Sequence, residues 1–239
     1  SMRLAEELDT TWQIHLSETE EERQNAIKEF GCSPVEYLAK LGCLNERTIA
    51  VHCVALSDRD IGLLAESGAS VVHCPVSNMR LGCGASPVVK LLKAGINVAL
   101  GTDGAASACS LSMFEQMRTA GLIAKGFSQD PTELTVNQII RMATINGANA
   151  LKLHCDVGSL AVGKLADLAV IDMSRLVTMP VLDVLSNVIY AVEAQCVHQV
   201  WVSGSLVANI QQEKLLRPDR GKLLTKSNIM SWQNRVCEI

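Results

Sequence analysis

The 239-residue sequence contains no CxxC pair, no uncharged apolar run of eighteen residues, no block of like charges and no low-complexity segment. Each absence removes a class of function. The nine cysteines, Cys32, Cys43, Cys53, Cys74, Cys83, Cys109, Cys155, Cys196 and Cys237, are odd in number and scattered singly. That argues against a disulfide framework or a zinc ribbon and for reduced thiols used as small apolar side chains, which implies a cytoplasmic protein. Without a long apolar run there is no helix to cross a membrane, and the N-terminus lacks the pattern of a signal peptide. Lys and Arg number 21 against 25 Asp and Glu, a net charge of −4 with no clustering. Neither a nucleic acid nor a membrane surface is therefore an expected partner. Aromatics are few, at 3%, yet 48% of the chain is apolar, enough to bury a sizeable core and to exclude disorder. At roughly 150 residues per domain the length suits one large domain or one and a half. Ser1-Met2 resembles the scar of a cleaved tag and is left out of the fold reasoning.

What is present is an alternation of short apolar runs and longer amphipathic segments. Strands are expected over 12–17, 48–53, 71–74 and 96–100, each apolar enough to be buried on both faces. Helices are expected over 18–30, with acidic residues in the first turn, and over 34–41 after Ser33 as N-cap. Further helices follow Ser57 up to Gly68, over 87–94, over 111–125 and over 135–151. Strands each followed by a helix imply a parallel sheet of βα units. From Gly158 the pattern changes to turns between β-type runs, 168–171 and 197–202. This reads as a β appendage of about 70 residues that barely supports its own core.

In α/β barrels, active sites form at the C-terminal ends of the strands. His15 with Glu18 falls at the end of the first expected strand, His52 at the second, His73 at the third and Asp103 at the fourth. A single strand histidine is more often a satisfied core residue, and an Asp in a Gly-Thr-Asp-Gly turn usually caps a helix. The joint placement is what points to chemistry. Imidazole from His15 and carboxylate from Asp103 suit zinc or ferrous iron, which lowers the pKa of a bound water to about 7. Asp103 is placed to take that water's proton, Glu18 to protonate a ring nitrogen, and His52 to stabilise the hydroxide or the tetrahedral adduct.

The strings IHLSETEEE around His15, VHC around His52, VVHCPVSNMRLGCGASPV, LGTDGAAS and SLSMFEQMR together resemble the amidohydrolase superfamily. Within it they are most similar to the methylthioadenosine/S-adenosylhomocysteine deaminase-like subgroup, with triazine chlorohydrolases as relatives. GSLAVGKLADLAVID resembles the same family's return into a small β-sandwich. The resemblance implies the C-terminal half of a (β/α)8 TIM-type barrel over 3–157 and a β-sandwich remnant with a C-terminal tail over 158–239. It further implies His15 and Asp103 as metal ligands, Glu18, His52 and Asp103 as catalytic residues, and Glu18 and Ser107 as substrate-binding residues. His73 and Asn78 resemble the family's loop after its seventh strand, and for His73 a structural and a functional role both stay open. Where family members carry asparagines after Ser107, this chain has Ala108 and Cys109.

The superfamily's pair of histidines two apart is absent: none of His15, His52, His73, His154 and His198 is so spaced. Matched by motif, the first strand here corresponds to the family's fifth. One imidazole and one carboxylate fall short of the three protein ligands usual for catalytic zinc. Alone, the chain is expected to bind zinc or iron weakly and to turn nothing over. The function that the resemblance implies is metal-dependent hydrolytic deamination of an aminopurine nucleoside. The alternatives are a truncated, non-catalytic relative acting as an interaction or structural subunit, and a guanine deaminase or chlorohydrolase. The half barrel's strand edges are expected to be covered by self-association or by the missing barrel half. A cytidine-type zinc deaminase lacks its HxE and PCxxC signature here, and GCGAS at Gly82 lacks the third glycine of a dinucleotide loop.

Overall fold

The computed structural model describes residues 1–209 and 214–215. The expected C-terminal tail beyond 215, with Cys237, lies outside the described residues. The chain begins with α1 (Met2–Glu7), β1 (Trp12–Leu16), α2 (Glu20–Phe30), α3 (Pro34–Lys40), β2 (Thr48–His52), α4 (Asp58–Ser67) and β3 (Ser70–His73). There follow α5 (Pro75–Arg80), α6 (Val88–Lys93), β4 (Val98–Leu100), α7 (Ala105–Ala108), α8 (Met113–Ser128), α9 (Val136–Ala143) and α10 (Ile145–Ala150). The last elements are β5 (Leu168–Ile171), α11 (Val184–Tyr190), β6 (Val197–Val202), β7 (Ser205–Asn209) and β8 (Lys214–Leu215).

β1 to β4 form one sheet in sequence order, all parallel, with His15 opposite Val51 and His73 opposite Leu100. This is the mixed α/β architecture with half the strands of a (β/α)8 barrel. Alternate residues face opposite ways along a strand. Ile14, Leu16, Ala50, Val71 and Val98 therefore join the aliphatic core under the helices, with Leu64, Leu91, Ile139 and Met142. Ile49, Val51 and Val72 turn to the other face, where Cys74 and Ala150 cover them.

The helices start where their caps are. Ser33 and Ser57 each close a capping box, with Glu36 and Asp60 respectively. The fully buried Asp60 also accepts from Ser33 Oγ, so one carboxylate joins the starts of α3 and α4. α11 packs its buried Ile189 into the same core as α8 and α9. β5 to β8 form a second, antiparallel sheet in which no residue of β5, β6 or β7 is fully buried.

Several sequence expectations are corrected. Strand β1 is not buried on both faces: Gln13 and His15 are exposed, because among the described residues nothing packs over the face of β1 that they share. The helix expected over 135–151 is two helices, broken at Thr144, whose φ of −131° and ψ of −98° are not helical. Ser1 and Met2 belong to the fold: Ser1 is the N-cap of α1, its Oγ accepts from Trp12 Nε1 at 3.0 Å, and Met2 is buried. The outer edge of β4 is not bare either, since Asn146 Nδ2 caps Val98 O at 2.9 Å.

Candidate active site

The four strands deliver His15, His52, His73 and, three residues past β4, Asp103 to the C-terminal end of the sheet. The backbone there leaves the ordinary regions. Ser17, His52, Cys53 and Asp103 have φ of 50°, 74°, 48° and 59°, values that cost a non-glycine residue free energy and that cluster where the chain must aim a side chain.

His15 and Glu18 are set by a clamp. Glu22 accepts from Ser17 N at 2.9 Å and from Glu18 N at 2.7 Å, and Thr19 Oγ1 caps Glu22 N at 3.0 Å. Ser17 O in turn accepts from Val54 N and Ala55 N, both at 2.9 Å, tying the β1 turn to the turn after His52. The His15 and His52 rings meet edge to face with centroids 4.7 Å apart. His52 is fully buried, and its Nδ1 lies 2.8 Å from Asn78 Oδ1. With that oxygen accepting, Nδ1 carries the proton and Nε2 presents a lone pair. Nε2 has no hydrogen-bond partner and lies 3.8 Å from Glu18 Oε2. Two acceptors thus face each other across a gap suited to a proton or a cation.

Asp103 accepts from Ser77 Oγ at 2.6 Å and from Gly104 N at 2.7 Å. Burial pushes its pKa up, but the Ser77 hydroxyl, the Gly104 amide and the imidazoles of His52 and His15 outweigh it and hold the carboxyl below its usual range. Cys83 closes the other side of Glu18, its thiol 3.6 Å from Oε1. Burial and the Glu18 charge raise its pKa, so the thiol stays protonated and donates.

Donor atoms of His15, Glu18 and His52 lie within 4.8 Å of one another. Mixed imidazole and carboxylate donors around an unpartnered buried Nε2 fit a divalent cation such as zinc. Asp103 stands outside that trio. Ser107 lies in α7, where Arg80 Nη1 donates to its carbonyl and to that of Ala106, at 2.7 Å for the latter. His73 is 1% exposed and lies outside the trio, yet near enough to His52 for that imidazole to lower its pKa. Glu22, Ser77, Arg80 and Cys83 were not singled out from the sequence. Thr19-x-x-Glu22 carries the capping pattern that could have flagged Glu22, while no local signal marks Cys83.

Comparison with known proteins identifies the family to which the fold belongs. Residues 1–207 match the model of the amidohydrolase family. The chain is 41% identical over 226 residues to the 5-methylthioadenosine/S-adenosylhomocysteine deaminase of Acetivibrio thermocellus, covering 95% of this chain and 52% of the relative. It is 44% identical over 204 residues to the 5'-deoxyadenosine deaminase of Methanothermobacter thermautotrophicus, covering 85% and 47%. The solved adenosine deaminase of Xanthomonas campestris with bound zinc superposes with a TM-score of 0.90 at 39% identity, over 99% of this chain and 53% of that one. The chain spans about half the length of the curated relatives it matches.

Proposed function

The chain belongs to the amidohydrolase family, and from that premise we propose that it carries part of the site of a metal-dependent hydrolytic deaminase acting on an adenosine-type nucleoside. The observation that carries this reading is the buried, unpartnered Nε2 of His52 facing Glu18 with His15 alongside. His15 would hold a divalent cation, zinc above all, together with Asp103, which lies outside the trio but close enough to the His52 and His15 imidazoles for them to lower its pKa, and with ligands from outside this chain. When bound, such an ion lowers the pKa of water to about 7.

The chain's own residues supply the rest. Asp103, kept ionised by Ser77 and Gly104, takes the proton of the attacking water. His52, held by Asn78, turns Nε2 toward the reacting oxygen and orients it. Glu18, gripped through its backbone by Glu22 and through Oε1 by Cys83, delivers a proton to the purine ring nitrogen next to the attacked carbon. Asp103 then hands the water's proton to the exocyclic amine, which leaves as ammonia as the C–N bond breaks, and the proton of the added hydroxyl returns to Glu18, so that a ring carbonyl remains and both carboxyl groups are restored. Ser107 would contact the nucleoside from α7.

The test is zinc content by elemental analysis, together with ammonia release from adenosine and methylthioadenosine. Both are measured on this chain alone and after mixing with the portion of the Acetivibrio thermocellus relative that it does not match. The expected result is weak metal and no turnover alone, with both gained in the mixture. Glu18→Gln is then expected to lower kcat by about 10²–10⁴, and Asp103→Asn to remove metal and turnover together. Turnover that survives Asp103→Asn would sink the assignment. A second reading, an interaction subunit without chemistry, is favoured by the exposed outer strand β1; a mixture that associates tightly yet releases no ammonia would establish it.

A further inference from the structure

α5 is six residues long, too short to stand by its own ladder, and it is held at both ends. At the first turn the fully buried Gln116 of α8 accepts from Val76 N at 3.3 Å. At the last turn Leu81 N donates to Ser77 O and Cys83 N to Asn78 O, both at 2.9 Å. From this fixed stub three side chains reach three parts of the rim. Ser77 Oγ donates to Asp103 Oδ2 at 2.6 Å, and Asn78 Oδ1 accepts from His52 Nδ1 at 2.8 Å. Arg80 Nη1 donates to Ala106 O at 2.7 Å and to Ser107 O. Ser77 and Arg80 are three apart and so share a face of the helix, which is why both reach the segment from Asp103 to Ser107. Ser77 and Asn78 serve the hydrolytic residues, whereas Arg80 touches neither of them.

α7 needs an outside brace. It is one turn long, Gly104 gives it no side-chain cap, and its own bonds are those of Ser107 N and Ala108 N to Gly104 O at 3.0 Å and of Cys109 N to Ala105 O at 2.9 Å. The last carbonyls of a helix have no partner within it, and a cationic side chain at that end can take them. Nη1 carries two N–H groups, one for each of the two carbonyls. Among the described residues Arg80 forms no ion pair, so these two bonds are what its guanidinium does. The other end of α7 is fixed separately, through Gly104 N to Asp103 Oδ1 at 2.7 Å. Ser107 lies between the two anchors.

We infer that Arg80 is a positioning residue for nucleoside binding: by holding the last carbonyls of α7 it sets Ser107, and it touches neither the cation nor the reacting atoms. This rests on the deaminase reading, in which Ser107 contacts the nucleoside.

Two measurements on wild type, Arg80→Met and Arg80→Lys test it. Arg80 is exposed, so neither substitution disturbs the core. On this chain alone, hydrogen exchange is followed by NMR at the amides of Ser107, Ala108 and Cys109. Arg80→Met is expected to speed exchange about tenfold there and to leave the amides of α4 unchanged, with Arg80→Lys, which keeps a cationic donor, in between. In the mixture with the complementary half, Arg80→Met is expected to raise KM for methylthioadenosine about fivefold to tenfold, the worth of one net hydrogen bond, and Arg80→Lys to recover part of it. Zinc content and kcat should stay, because Ser77 and Gly104 still hold Asp103. Unchanged exchange in α7 would overturn the inference on this chain alone, whatever the mixture does. An unchanged KM, or zinc and kcat lost in step with it, would overturn it too, the latter because a general brace of the rim takes the cation site down with the substrate site. A wild-type mixture without turnover is a different result: it fells the deaminase reading and this inference together.

Discussion

His73 and His52 are both fully sequestered imidazoles, yet the chain treats them differently: His52 has Asn78, and His73 has no partner at Nδ1. The consequence for His73 is a pH-dependent stability. Its folded pKa of about 3 lies below the ordinary 6.5. The unfolded chain therefore binds the proton first, and stability is full above pH 6.5 and falls as pH drops from there toward 3. Between pH 7 and pH 5 the loss should be of order 2 kcal/mol. Urea midpoints of wild type and His73→Leu across that range are expected to diverge, with the variant's profile the flatter; parallel profiles would contradict the assignment. The sequence placed His73 at a strand end but could not decide its role. Which way it faces depends on strand register and on where α8 packs, and both are long-range. The placement of His15, Glu18, His52 and Asp103 at the strand ends was legible because strand ends are local signals. The bond from Cys83 to Glu18 spans 65 positions and was not.

At the level of elements, punctuation residues explain both what was readable and what was missed. Ser33 and Ser57 announced α3 and α4 through capping boxes. α5 went unread although Pro75 occupies its first turn, a recognised helix start, because the neighbouring apolar run reads as strand. The break at Thr144 has no proline or glycine to mark it. It is imposed by α10 turning back to cap β4 through Asn146. Gly158 ends that turn under two constraints. Its φ is +86°, and a Cβ would stand 2.6 Å from Ala148 Cβ and 3.0 Å from the Ile145 backbone. Gly158→Ala is expected to destabilise by about 2–4 kcal/mol, the sum of a left-handed penalty and an overpacked contact, read as a lowered urea midpoint with an unchanged slope. A neutral substitution would mean that the turn can open freely.

For the whole molecule, the two sheets have opposite problems. The parallel sheet is well covered beneath its helices, but the Gln13 and His15 side of β1 is exposed. Strands β5, β6 and β7 hide no complete residue, and the segment ahead of α11 exposes Leu160, Val162, Leu176 and Leu182. Surfaces of this kind invite pairing. The 25.7 kDa chain is therefore expected to self-associate on its own, with light scattering giving a mass above the monomer that returns toward it when a complementary barrel half is added. A monodisperse monomer would count against this.

The clamp at Glu22 has a mechanical meaning for the assembled protein. One carboxylate grips the amides of Ser17 and Glu18 while its own amide is capped by Thr19 at the start of α2. The first turn of that helix and the aim of the Glu18 side chain are thus a single hinge with one latch. Whatever pulls on α2 from outside the sheet, a partner or a neighbouring helix, reaches the C-terminal ends of the strands without passing through the core.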